Sequence, residues 1–227
     1  MRQSGSRYWA WTGIAFFALF AFSIFFLNGS TPGEKASAQT VMHYYNTHHG
    51  RTTADALLAP LIVALGAIYF TYLRARAREA RATSDIGPTT MLVGAVIWAM
   101  GALVGSVIEL TVSSASWHQQ AQIAQTANVL SNDSWIPFIA GAATMLIGAG
   151  VTVLQSSLLP KWMGYVAIVA GVASLVGPGG FLGFIVAPLF VLTSAVMMLM
   201  RREIDVTTTA AATVPAQATA EAPTAKV

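Results

Sequence analysis

Glu109 is the residue whose surroundings most directly suggest chemistry. It lies in the apolar run 90–113, four residues before that run ends, and it is the one carboxylate that the sequence places near membrane depth. An ionisable side chain inside a bilayer is costly, so Glu109 is a candidate proton carrier or cation ligand. A structural alternative stays open: Glu109 reaches water at the outer interface, or it hydrogen-bonds a polar neighbour such as Gln155 or Thr144.

The histidines suggest a second hypothesis, a metal site on the outer side that includes Glu109 or Asp133. Histidines that share a metal on one helical face are three or four residues apart. Here His43 and His48 are five apart, and His48 and His49 are adjacent. The ligands would therefore come from separate loops, and the alternative is that these are polar interface residues beside tyrosines. The four metal candidates are His43, His48, His49 and His118.

Other catalytic chemistry has no motif in this chain. Cysteine is absent, which excludes disulfides, thiolate catalysis and cysteine-ligated metal centres. The sequence contains no GxSxG motif, phosphate-binding loop, HExxH motif or dinucleotide fingerprint. Its basic residues are not interleaved with aromatics as in a nucleic-acid surface. We therefore expect no cofactor and no nucleic-acid partner, and the sequence favours a role other than that of an enzyme.

The composition is typical of a multi-pass membrane protein. Hydrophobic residues make up 55% of the chain and charged residues only 9%, whereas soluble proteins carry about 25% charged residues. The sequence therefore predicts an all-α bundle of six transmembrane helices within residues 1–202. The predicted spans are 8–27, 56–73, 90–113, 135–155, 162–176 and 181–200.

An arginine cluster determines the predicted orientation. Four arginines lie in a loop at 73–82, LRARAREARA, between the second and third spans. Positive charge resists translocation, so this loop belongs in the cytoplasm. With both termini on the same side, the inner side holds ten lysines and arginines and the outer side only Lys35 and Arg51. This distribution predicts an inner-membrane protein with cytoplasmic N- and C-termini.

The loops and the tail differ in composition from the spans. Residues 36–49 could form a short helix on the membrane surface, and residues 114–134 a helix that extends the third span or lies at the interface. Thr52 and Asp55 resemble a capping box that opens the second span. Residues 203–227 are rich in Ala, Thr and Pro, which predicts a disordered cytoplasmic tail.

Small residues mark the faces along which helices could pack. In the third span Gly101 and Gly105 are four apart, and Glu109 continues the same face. The corresponding residues are Ala140, Thr144, Gly148 and Thr152 in the fourth span, and Gly164, Ala167, Gly171 and Ser174 in the fifth. Such stripes serve packing within one chain or between chains equally well, so a homo-oligomer or a membrane-protein partner remains open.

Three segments carry a resemblance to known proteins. VMHYYNTHHGRT in the first outer loop, LRARARE after the second span and SSLLPKWMGYVAIVAGVASLVGP late in the chain resemble small actinobacterial multi-pass integral membrane proteins, a domain-of-unknown-function type of family. The resemblance covers roughly residues 8–202. It implies a six-helix membrane protein and supplies no catalytic residues.

Three classes of function follow from these observations. The sequence favours a non-catalytic membrane protein that binds lipid or a protein partner, because every candidate site can be explained equally well by a structural role. The second class is a small proton- or cation-coupled transporter that uses Glu109. The third is a membrane metalloprotein that uses the outer histidines.

Overall fold

The part of the chain that the structure describes is mostly helical and contains no strand. This computed structural model describes residues 7–80, 84–176 and 180–212, and the side chains of residues 8–200 within those ranges. The eight α-helices in that part are α1 (Arg7–Phe22), α2 (Ala38–Thr47), α3 (His49–Glu79), α4 (Ile86–Trp117), α5 (Ala121–Asp133), α6 (Trp135–Gln155), α7 (Lys161–Ser174) and α8 (Gly180–Ala212). A π-helical segment, Ser23–Leu27, continues α1.

Five helical segments are long and apolar enough to cross a membrane. They contain α1 with its π-helical extension, α3, α4, α5 with α6, and α8. The segment predicted as the fifth span corresponds to α7, which has 14 residues and is therefore only about 21 Å long. The fold is a helical bundle suited to a membrane, with five helices of membrane-spanning length in the described ranges.

The helices of spanning length form a closed ring. Each contacts the next in the order α1, α3, α4, α6, α8, and α8 contacts α1 again. The shorter α7 packs against α6 and α8. Its residues Gly164 and Gly171 face Gly150 and Ile147 of α6 respectively, so the two helices run antiparallel. All four members of the predicted packing face of α7, Gly164, Ala167, Gly171 and Ser174, are buried.

Glycines bring the backbones of α4 and α6 into direct contact. A Cβ atom added at Gly94 would overlap the backbone of Met145, and one added at Gly141 would overlap the backbone of Trp98. The predicted stripe on α6 was partly wrong, because Ala140 is exposed and the contact face passes through Gly141 instead.

A small helical cap covers the end of α4. Helices α2 and α5 pack against each other and against α4. Their shared core contains Val41 and Tyr45 of α2, with Val112, Ala115, Ala124 and Ala127. Asn128 and Asn132 of α5 donate hydrogen bonds to the carbonyls of Gly33 and Pro32. The sequence left open whether residues 36–49 and 114–134 form helices on the membrane surface. Both segments contain helices that pack on other helices of this chain. Helix α4 itself extends to Trp117. We call this end of the bundle the cap end.

The opposite end carries the arginines, and here the predicted loop was too long. Helix α3 continues to Glu79, so Arg74, Arg76 and Arg78 belong to its last turns. Arg74 and Arg78 both pair with Asp85, at 2.9 and 3.4 Å. The hydrogen bond from Arg74 is the main reason that the pKa of Asp85 lies below its usual value. We call this the arginine end. Arg81 lies outside the described residues.

Helix α8 extends beyond the predicted sixth span. It continues to Ala212, so the first part of the segment for which the sequence predicts disorder, 203–212, is helical. Residues 213–227 of the predicted tail lie outside the described residues.

A buried hydrogen bond joins α3 to α8 and supports a first prediction. The Tyr69 hydroxyl lies 2.6 Å from Oγ of Ser194, and both side chains are buried. Interhelical hydrogen bonds in membrane proteins contribute about 0.6 kcal/mol on average. We expect Tyr69→Phe to lower the free energy of unfolding by about 1 kcal/mol or less, as measured by unfolding in mixed detergent and SDS micelles. The control Tyr165→Phe, at an exposed position, should change nothing; equal losses in both variants would contradict a role for the buried bond.

Candidate functional site

A cavity of about 400 Å³ lies inside the ring. All five ring helices contribute to its wall. Along α4 it extends from Trp98 to Glu109, eleven residues or about 16 Å. The polar or charged residues on its wall are Ser23, Asn28, Asp55, Ser106, Glu109 and Ser134.

Aromatic side chains close the cavity on the side of the arginine end. Trp98 lies at the centre of this aromatic floor, with ring centroids 5.5 Å from Phe16, 5.9 Å from Phe20 and 4.7 Å from Phe138. Phe184 of α8 completes it, at 5.5 Å from Phe20 and 5.4 Å from Phe138. Because these residues come from four of the ring helices, their contacts hold those helices together at the base of the cavity.

Asp55 is one of two carboxylates on the cavity wall. The hydroxyl of Ser23 donates a hydrogen bond of 2.6 Å to its Oδ1. Ser23 stands in the π-helical segment that ends α1, and such wide turns are frequent at functional sites. One turn before Asp55, Arg51 donates hydrogen bonds to the carbonyls of Leu27 and Asn28, both at 2.6 Å. Its positive charge also acts on Asp55.

The predicted capping box at the start of α3 was wrong. Helix α3 begins at His49, so Thr52 lies inside the helix and its backbone N–H bonds to the carbonyl of His48. Asp55 therefore has no capping role, and its side chain binds Ser23 instead. Because Asp55 was interpreted as a helix-capping residue, it was not predicted to be a second carboxylate of the site. Little in the sequence signals the earlier start, because Gly50 in the first turn is a poor helix former.

Glu109 is the second carboxylate, and it lies on the face that the sequence predicts. Gly101, Gly105 and Glu109 all line the cavity. Among the described residues the Glu109 carboxylate has no hydrogen-bond partner. The polar neighbours that the sequence suggested are not used: Thr144 bonds its own helix, and Oε1 of Gln155 is buried without a partner in the described part.

The ionisable groups on the described cavity wall are acidic. No lysine, arginine or histidine is among its described lining residues. The two carboxyl groups are near enough to interact electrostatically. Asp55 binds Ser23 and lies near the charge of Arg51, whereas Glu109 has no such partner among the residues described. Glu109 is therefore the carboxyl group of this wall that is open to a ligand.

Tyr45 belongs to the core of the cap, and it is near enough to Glu109 for the charge of that residue to act on its hydroxyl. Its hydroxyl is buried and has no hydrogen-bond partner among the described residues. Burial, with a smaller contribution from Glu109, raises the pKa of Tyr45 above its usual value. Tyr45 is therefore a neutral hydroxyl within the cap and is not among the described lining residues of the cavity.

Two of the four candidate histidines are engaged by other partners. Nδ1 of His48 lies 2.9 Å from the carbonyl of Tyr44, and the two rings stack. Nδ1 of His49 lies 2.7 Å from Oγ of Ser113, and its ring stacks on Trp117. These contacts join α2, α3 and α4 at the cap end.

The other two histidines lie apart on the surface. His43 is exposed on α2, and His118 is exposed at the end of α4. Asp133, the other suggested ligand, is exposed on α5. Within the described ranges no three histidine, aspartate or glutamate side chains are grouped as a metal site would require. The structure thus brings together Glu109 and the unpredicted Asp55, and it does not bring the histidines together.

No known family model, curated protein or solved structure gives a significant match to this chain. The resemblance to small actinobacterial membrane proteins therefore stays a prediction from the sequence. The interpretation of the site depends on its own geometry.

Proposed function

We propose that this protein is a membrane carrier for a small cation, which binds in the cavity between Asp55 and Glu109 in exchange for protons. One observation carries the proposal: two carboxylates share an otherwise largely apolar cavity that is lined by all five ring helices. Ionisable groups inside membrane proteins are expensive and commonly mark ion or proton pathways.

Packing alone does not require the Glu109 carboxylate. Glu109 makes no hydrogen bond to any described residue, so glutamine or a small residue would satisfy the same position at lower cost. A carboxylate that binds a proton or a cation needs the opposite arrangement, with its oxygens free and facing space. The free carboxylate of Glu109 on the wall of a 400 Å³ cavity supports that role.

We further propose that the chain crosses the membrane six times, with α7 as the short crossing. Gly180 of α8 and Ser134 before α6 both line the cavity, so α6 and α8 begin at the cap end. Helix α7 returns the chain along α6 between them, and a bilayer can thin around a helix of this length. The charge distribution then favours cytoplasmic termini in an inner membrane, with the cavity on the outer side.

A non-catalytic protein that binds lipid or a membrane-protein partner is the second candidate. Its support is the exposed apolar face of α4, which includes Val93, Val96, Met100, Val104 and Val107. Such a face suits lipid or another helix, and a second copy of this chain is one such partner. This candidate gives the carboxylates no role. An experiment that removes them therefore distinguishes the binding protein from the carrier.

Proteoliposomes that contain a pH-sensitive dye test the carrier. We expect an external cation from the series sodium, potassium and phenyltrimethylammonium to drive proton efflux through the wild-type protein. Glu109→Gln and Asp55→Asn should reduce the rate at least about tenfold, because each removes a charge from the cavity. The matched controls Glu34→Gln and Asp133→Asn alter exposed carboxylates and should leave the rate unchanged.

Two results would contradict the carrier. One is the absence of cation-driven proton movement with every member of the series in folded wild-type protein. The other is an equal rate in the cavity variants and their controls. Either result would favour the non-catalytic binding protein instead.

A further inference from the structure

We propose that the cation is monovalent and organic, with an apolar or aromatic body that fills the cavity. This inference rests on the proposed carrier and names its substrate class. The carboxylate of Glu109 would neutralise the charged group, and the aromatic side chains of the cavity wall would surround the apolar body of the ligand.

The charge balance of the cavity suits a single positive charge. Asp55 accepts a hydrogen bond from Ser23 and feels the charge of Arg51. Among the described residues Glu109 has neither a hydrogen-bond partner nor a cation near enough to act on its charge. A monovalent ligand would form one ion pair with Glu109, whereas a divalent ligand would need both carboxylates, and Asp55 already binds Ser23 and lies near Arg51.

The wall favours an organic body over a hydrated metal ion. Six aromatic side chains line the cavity, Phe20, Trp98, Trp135, Phe138, Phe181 and Phe184. Aromatic faces attract organic cations through their quadrupoles, and aromatic cages are the usual sites for quaternary ammonium groups. A bare metal ion instead needs several oxygen ligands to replace its water shell. The wall offers few, because its described polar side chains besides the two carboxylates are Ser23, Asn28, Ser106 and Ser134, and the rest of the lining is largely apolar.

Calorimetric titration of the purified protein in lipid nanodiscs tests the substrate class. The probe is phenyltrimethylammonium, which carries one fixed charge on an aromatic body. Tetramethylammonium keeps the charge without the ring, and benzenesulfonate keeps the ring with a negative charge. We expect phenyltrimethylammonium to bind at least tenfold more tightly than tetramethylammonium, and benzenesulfonate not to bind.

Variants then locate the binding. Glu109→Gln should weaken phenyltrimethylammonium binding at least tenfold, Glu109→Asp should restore part of it, and Glu34→Gln should have no effect. Asp55→Asn should weaken binding less than Glu109→Gln, because Asp55 already binds Ser23 and lies near the charge of Arg51. Phe184→Leu, which keeps an apolar side chain and removes the ring, should weaken binding about threefold to tenfold. Each variant is compared only after circular dichroism shows wild-type helix content.

The outcomes separate this inference from the carrier itself. Sodium-driven, Glu109-dependent proton movement without phenyltrimethylammonium binding would overturn the organic substrate and leave the carrier intact. Equal binding of phenyltrimethylammonium to wild type and Glu109→Gln would also overturn it, because the probe would then lie outside the cavity. A loss of cation-driven proton movement for the whole series would remove the carrier, and this inference with it.

Discussion

Gly141→Leu is expected to separate α4 from α6 and to destabilise the whole bundle. A Cβ atom at Gly141 already overlaps the backbone of Trp98, and backbone cannot move aside as a flexible side chain can. Overpacking of this kind costs about 3 kcal/mol, and Trp98 also forms the centre of the aromatic floor. We expect the free energy of unfolding, measured in mixed detergent and SDS micelles, to fall by about that amount.

Gly50→Leu is the matched control. Gly50 lies in α3, is exposed, and has no atom within 4 Å of an added Cβ. Leucine favours helix over glycine by up to about 1 kcal/mol, so this variant should be neutral or slightly more stable than wild type. If Gly141→Leu matched it, the contact between the α4 and α6 backbones would not hold the ring together.

Trp98→Ala is the second substitution with a large expected effect. Trp98 is 5% exposed and contacts rings from α1 and α6. Removing a buried tryptophan costs about 3 to 5 kcal/mol, from lost contacts and the remaining cavity. We expect a loss of stability in that range, measured by the same unfolding assay.

Trp162→Ala tests whether burial explains that loss. Trp162 is 55% exposed on α7, so its removal should cost less than about 1 kcal/mol. A similar loss in both variants would show that the aromatic floor is not a stabilising core between the ring helices.

Local signals in the sequence predicted much of the helical architecture. The apolar runs correspond to α1, α3, α4, α6 and α8, because membrane helices are defined by length and composition. Glu109 stood out because it interrupts such a run. The buried face of α7, which contains Gly164 and Gly171, followed from the spacing of small residues.

The cavity could not be predicted, because it depends on contacts between distant segments. Its wall requires the ring to close between α1 and α8, and no local pattern gives the order in which helices meet. Asp55 was missed because the start of α3 was placed too late. Its partner Ser23 is 32 residues away, and the bond forms only where the π-helical turn meets α3.

The most direct test of the account is to locate a bound cation in the protein. We would crystallise the protein in lipid with (4-iodophenyl)trimethylammonium, whose iodine gives an anomalous signal. We expect an iodine peak inside the ring near Trp98 and Phe184, with the ammonium group facing Glu109. An iodine peak only on the lipid-facing surface, with the cavity wall unchanged, would contradict the claim that this cavity binds a cation.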